Sequence, residues 1–193
     1  MSIFYFKPKI IDPFIFILYD YQKSEQKILL KEITFFEAES DILNHIKEYN
    51  QKKSKNNKND KEQTILIQLQ NLIYEYLSNG KTELFKELKE MDVFLDLKNK
   101  FKSDFSKKVI HALINTKPGE PITYSGLAKK INSKAYRAVG TVLKKNPLPL
   151  IIPCHRVIKK DGKIGFFMGK TNEGWQIQLK RTLLEIEGNL ILE

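Results

Sequence analysis

Apolar residues crowd the stretch 14–36 of the chain. PFIFILYDY and KILLKEITFF are rich in β-branched and aromatic residues, and the polar QKSEQ between them has the composition of a hairpin loop, so the stretch predicts paired strands. From Ser40 the spacing becomes helical: Ile42, Leu43 and Ile46 share one face, and Ser40 or Asp41 can cap it. QKKSKNNKNDKEQ (51–63) holds no apolar residue and predicts a polar loop. Helical spacing returns over 64–78, where Ile65, Leu66, Leu69, Leu72, Ile73 and Tyr76 form an apolar face that Asn79-Gly80 closes. Residues 81–103 are mixed and are expected to be a connector. From Asp104, Phe105, Val109, Leu113 and Ile114 recur at helical spacing until Lys117-Pro118-Gly119-Glu120 stops the run.

Two short helices follow in tandem. Thr123 can cap YSGLAKKI, whose Leu127, Ala128 and Ile131 face inward, and Asn132-Ser133 makes a turn in which Ser133 can cap KAYRAVGTVLKK. This is the layout of a helix-turn-helix, with the second helix in the reading position. Ala135, Ala138 and Gly140 keep that helix thin, while Lys134, Arg137, Lys144 and Lys145 charge it. Small residues at those positions serve either close helix packing or close approach to a minor groove about 6 Å wide.

Charge placement sharpens this. The net charge is +10, yet residues 1–100 carry 16 Lys and no Arg against 16 acidic side chains, so the excess falls in 101–193, with 17 basic against 7 acidic residues. A basic half suggests a polyanionic partner, although a solvated basic face has the same composition. The fold class expected is α+β: a small sheet-plus-helix domain over 1–100, with the loop 51–63 and connector 81–103, then a mostly helical domain over 101–193 carrying the helix-turn-helix and a cysteine segment. The longest apolar run near the start, Phe14 to Tyr19, is far short of the roughly 20 residues of a membrane helix. No signal peptide or membrane partner is expected, and the location expected is cytoplasmic, or nuclear in a eukaryote.

The single cysteine, Cys154, excludes an intramolecular disulfide and thiolate-rich zinc sites, and His45, His111 and His155 lie too far apart in sequence for a metal-ligand pattern, so no metal and no cofactor are expected. A lone cysteine is ordinarily a small buried apolar residue. Here the apolar run Leu148 to Ile152 leads into Pro153-Cys154-His155-Arg156-Val157. A cysteine beside a base and a cation can be held as thiolate, its pKa lowered from about 8.5, and a thiolate suits attack on a saturated carbon. Neighbours in an extended segment point to opposite faces, so any Cys–His cooperation needs a turn or a water.

The stretch from Phe105 to Gly188 resembles the catalytic domain of the O6-alkylguanine-DNA alkyltransferases. The resemblance is carried by KPGEPITYSGLA (117–128), KAYRAVGTVLKKNPLPLIIPCHRV (134–157) and LLEIEG (183–188), in that order, with PCHRV the most specific part. It implies direct, stoichiometric repair of double-stranded DNA containing O6-alkylguanine, by a monomer that moves the alkyl group onto Cys154. His155 would take the thiol proton through a bound water, Glu187 would orient that histidine, and Asn146 would fix the active-site turn. Tyr124 would donate to N3 of the departing guanine. Arg137 would fill the space left by the flipped nucleotide. Lys134, Lys144, Lys145 and Arg156, on and near the thin helix, would contact DNA. Tyr124, Pro149, Val157, Phe167 and Met168 would form the substrate pocket, with main-chain groups of Val157 and Met168 reading the base edge. Flipping is required because a stacked base keeps its O6 substituent away from a buried sulfur.

Two departures from the family pattern bear on the pocket. Phe167 stands where tyrosine is common, and the segment from Phe167 to Glu187, holding KTNEGWQIQ, reads as a loop several residues longer than usual. Two other classes fit parts of the pattern: a lesion-binding protein without chemistry, which would lack the acceptor cysteine, and a Cys–His hydrolase, which would need an oxyanion site.

Overall fold

The computed structural model of the chain describes residues 1–50, 59–170 and 174–189. It is an α+β fold. Strands β1 (Ser2–Phe6), β2 (Phe14–Gln22), β3 (Lys27–Phe36) and β4 (Val93–Leu95) form a sheet in that order, antiparallel except for the β3–β4 pair. Five consecutive residues of β2, Ile15 to Tyr19, are buried. Side chains of a strand alternate between faces, so such a run requires cover on both. The cover is visible in the packing: Phe16 and Leu18 cluster with Ile42 of α1 (Glu39–Asn50), while Ile15, Ile17 and Tyr19 join the main core with α2 (Asp60–Asn79).

Helix α2 carries the stripe expected of it, with Ile65, Leu66, Leu69, Leu72, Ile73 and Tyr76 all buried. Its start differs from expectation. Asn59 accepts a hydrogen bond from the Glu62 amide and so caps a helix that begins inside the supposed loop; the rest of that loop, 51–58, lies outside the described residues. Its end is as read: Gly80, at φ 63°, closes the helix with an amide bond back to the Tyr76 carbonyl. In α1, Ser40 and Asp41 lie inside the first turn rather than before it, and Leu43 is 48% exposed, because a single sheet face can bury only Ile42 and part of Ile46. The connector holds structure of its own: α3 (Leu84–Leu88), a 3₁₀ turn and β4, whose three residues were too few to show an alternating pattern.

The remaining helices are α4 (Asp104–Ile114), capped by Ser103, α5 (Tyr124–Lys130), α6 (Tyr136–Lys144) and α7 (Trp175–Ile186). Thr123 caps α5 through the Gly126 amide as expected. Ser133 instead bonds the Ala135 amide, and α6 begins only at Tyr136, which leaves Lys134 and Ala135 in the turn before the reading helix. The supposed long loop is corrected too: 175–186 is helix, its stripe of Leu179, Leu183 and Leu184 buried, and residues 171–173 lie outside the described set. One continuous core runs from Ile15 and Tyr76 through Val109 and Leu127 to Cys154 and Leu183. Among the described residues no helix is long and apolar enough to cross a membrane.

Candidate active site

Two short devices bring the chemistry together. The first is a two-residue parallel pair, β5 (Ile122–Thr123) beside β6 (Val157–Ile158). Tyr124 follows β5 directly and Cys154 opens the 3₁₀ turn that precedes β6, so the pairing holds the start of α5 against the cysteine segment. The second is Asn146. Its side-chain oxygen accepts from the Leu148 amide at 3.0 Å, and its amide nitrogen donates to the Ile152 carbonyl at 2.8 Å and to Cys154 Sγ at 3.1 Å. A single side chain thus braces the buried turn 148–152, where Leu150 sits at φ 74°, and touches the sulfur.

Cys154 opens onto a cavity of about 220 Å³ whose walls include Tyr124, Arg137, Gly140, Lys144, Phe167 and Met168. Tyr124 packs against Gly165 so closely that a Cβ there would lie 2.7 Å from its hydroxyl, whereas a Cβ on Gly140 would sit 3.8 Å from its ring, an ordinary contact. Burial pushes the Tyr124 hydroxyl up to about 12, so it stays a donor. Pro149 and Val157 are buried and do not line this cavity, and the Val157 carbonyl accepts from Lys180 Nζ at 2.6 Å.

Behind the sulfur lies a buried ionic cluster. His155 Nε2 is 2.9 Å from Glu187 Oε1, and both side chains are fully buried. Arg156, expected among the DNA contacts, is 5% exposed; its guanidinium bonds both Glu187 oxygens at 2.8–3.1 Å and the Thr116 carbonyl at 2.5 Å. It is therefore spent inside the protein. The Gly119 amide adds a bond to Glu187 Oε2 at 3.2 Å. Burial opposes the charge on Glu187, yet the His155 and Arg156 bonds prevail and hold its carboxyl down at about 2. Burial lowers the His155 pKa. Facing a carboxylate, the neutral imidazole keeps its proton on Nε2, so Nδ1, buried and without a hydrogen-bond partner among the described residues, is the basic nitrogen.

The sulfur itself differs from expectation. Burial pushes the Cys154 thiol up, not down, and the Asn146 bond and the Lys180 charge only partly offset this. The cation that acts on it is thus Lys180 and not Arg156. Lys180 is fully buried on α7, donates to the Val157 and Phe166 carbonyls, and is brought down by burial to about 8. Sequence reasoning missed it, although a lysine three and four residues before Leu183 and Leu184 falls on their apolar stripe.

The basic surface divides in two. Arg137, Gly140 and Lys144 share the face of α6 that lines the Cys154 cavity, and Arg137 and Gly140 also line a broader groove of about 650 Å³ with Lys129, Tyr136, Lys159 and Lys160. Ala138 and Lys145 face a different groove, beside residues 99–106. Lys134 and Ala135 are exposed in the turn before α6. Lys129, Lys159 and Lys160 were not singled out from the sequence; the Lys159-Lys160 pair just beyond PCHRVI is the signal that could have found them.

The family model for the DNA binding domain of 6-O-methylguanine DNA methyltransferase matches residues 104–189. The methylated-DNA–protein-cysteine methyltransferase of Methanocaldococcus vulcanius is 46% identical over 85 residues, which cover 44% of this chain and 48% of that protein. Its counterpart from Thermococcus kodakarensis is 42% identical over 106 residues, 54% of this chain and 56% of the relative. The chain thus spans about half the length of the curated relatives it matches. The crystal structure of the O6-methylguanine-DNA methyltransferase from Pyrococcus kodakaraensis superposes with a TM-score of 0.61 at 28% identity, covering 97% of this chain and 99% of that one. The OGT protein of Mycobacterium tuberculosis in complex with DNA shares the fold, with a TM-score of 0.62 at 22% identity over 97% of this chain and 93% of its own. The matched segment, 104–189, contains every side chain around the Cys154 cavity, from Tyr124 to Met168, and Glu187.

Proposed function

We propose that this chain repairs DNA by transferring an alkyl group from O6 of guanine to Cys154, in a single irreversible turnover. The observation that carries the reading is the cavity that Cys154 and Tyr124 line together beneath the basic helix α6, with His155, the next residue of the same turn, paired to the buried Glu187. The substrate is double-stranded DNA holding an O6-alkylguanine, and the reaction uses no metal or cofactor. Residues 101–193 form the catalytic, DNA-binding unit and 1–100 its support.

The Cys154 thiol proton passes through a bound water to His155 Nδ1, and Glu187 stabilises the imidazolium that results. The sulfur attacks the alkyl carbon, the S–C bond forms as the C–O6 bond breaks, and guanine leaves with the electron pair. Tyr124, a donor at any physiological pH, offers its hydrogen bond to N3 of that anion. The proton on His155 returns through solvent to the guanine. The raised thiol pKa keeps the sulfur protonated until proton transfer and attack can occur together. Main-chain groups at Met168 face the base edge, while Arg137, Lys144, Lys129, Lys159 and Lys160 hold the strand and the gap left by the flipped base.

Incubation with a duplex containing O6-methylguanine tests the reading. The intact protein is expected to gain one methyl in place of a proton, mapped by peptide mass to Cys154; no gain, or a gain elsewhere, defeats it. Gly165→Ala is expected to slow transfer at least about tenfold, because the new Cβ displaces the Tyr124 ring, whereas Gly140→Ala leaves the rate within about twofold. Equal rates for the two variants would remove Tyr124 from the mechanism. Arg137→Ala is expected to slow repair of a well-paired lesion more than of the same lesion in a single strand, measured as second-order transfer rates; the reverse ordering excludes its part in flipping.

A further inference from the structure

Tyr76 lies outside the segment shared with the methyltransferase domain family, on the last turn of α2, yet it is fully buried against the ionic cluster. Its hydroxyl is 2.7 Å from Glu187 Oε1 and 3.1 Å from His155 Nε2. We propose that Tyr76 is a positioning residue of alkyl transfer: its hydroxyl fixes the Glu187 carboxylate and the His155 imidazole in one orientation, so that α2 completes the proton-accepting group of the catalytic half. This rests on the transfer reaction proposed above.

Two further observations point the same way. The helix end next to Tyr76 abuts Glu187 itself: a Cβ on Gly80 would lie 1.9 Å from the Ile186 carbonyl oxygen and 3.0 Å from Glu187 Cα. The α2 terminus therefore sets where the Glu187 backbone can lie, and the Tyr76 side chain sets where its carboxylate points. Burial, with the Glu187 charge, pushes the Tyr76 hydroxyl well above its ordinary range, so it is always a donor and never competes for the proton that His155 takes.

The direction of its effect follows from the groups around the imidazole. His155 is faced by Glu187, Tyr76, Arg156 and Lys180. Arg156 and Lys180 disfavour the imidazolium and Glu187 favours it. The Tyr76 hydroxyl donates to Oε1, the same carboxylate oxygen that His155 faces, and so draws charge from it. Without that donor Oε1 becomes a stronger acceptor and the imidazole holds its proton longer.

The test is Tyr76→Phe, which keeps the ring and removes only the hydroxyl. In the full-length variant without DNA, the nitrogen-15 resonances of His155 are expected to titrate about half a pKa unit or more higher than in the wild type. In transfer assays the rising limb of the rate against pH shifts in the same direction and the plateau rate falls about three- to tenfold, while affinity for unmodified duplex stays within about twofold. A purely structural role would lower thermal stability and leave the titration and the pH profile where they were; that result overturns the proposal. The His155 titration needs no alkyl transfer, so wild-type protein that fails to react with alkylated DNA refutes the reaction without deciding the role of Tyr76 in holding the pair.

Discussion

Cys154→Ala is expected to abolish covalent capture of the alkyl group while leaving affinity for the same duplex unchanged within error. The sulfur is the only thiol in the chain, so no neighbour can stand in for it. The surfaces proposed to meet the strand, on α6, at Lys129 and at Lys159-Lys160, do not depend on it. The change removes one buried atom from a closely packed segment and costs on the order of 1 kcal/mol in stability. Intact mass after exposure to lesion-bearing duplex, beside a titration of binding by anisotropy, measures both quantities. A parallel loss of binding and transfer would mean that the substitution had disrupted the fold of the site and not its chemistry.

The second large effect is expected at Glu187. Glu187→Gln leaves Arg156 buried without a counter-charge and replaces a carboxylate that accepts from Arg156, Tyr76, Gly119 and His155. Breaking a buried pair in this way costs about 3–5 kcal/mol. The depressed pKa agrees: a carboxyl held at about 2 instead of 4.5 contributes roughly 3 kcal/mol at neutral pH. The folded-state pKa lies below the unfolded value, so this stability is fully present above the ordinary carboxylate range and is lost as pH falls from about 4.5 towards about 2. Urea unfolding at neutral pH is expected to show the deficit, and a pH series is expected to show the variant lacking that part of the wild-type acid transition. Transfer is expected to fall at least about 10²-fold, since the proposed general base loses both its orientation and its stabilising charge. Wild-type stability and rate in the variant would exclude Glu187 from the cluster.

How legible this site was in the sequence varies from residue to residue. The strands of 14–36, the stripe on α2, the Gly80 stop, the Thr123 cap and the helix-turn-helix were all local patterns, and local patterns survive folding. The PCHRV run announced the sulfur. What the sequence did not reveal depends on contacts between distant segments. Arg156 belongs to Glu187, 31 residues away, so its charge read as surface until the pairing was seen. Lys180 was not singled out and Tyr76 read only as part of an apolar helix face, because nothing along the chain shows that their polar ends meet Val157 and Glu187. The thiol pKa was misjudged for the same reason: neighbours in sequence suggested a cation beside the sulfur, while the fold surrounds it with apolar cover. A three-residue strand such as β4 is visible only beside its partner β3.

The α2 terminus carries a last consequence. Gly80 at Ile186, Tyr76 at Glu187 and the Ile33 amide on the Pro147 carbonyl at 2.8 Å knit the acid-balanced half to the basic half. Severing the polypeptide near residue 100 would therefore not release two self-sufficient modules. The basic fragment would be left with water at the back of its imidazole and carboxylate, and the other would bare the apolar flank of its longest helix.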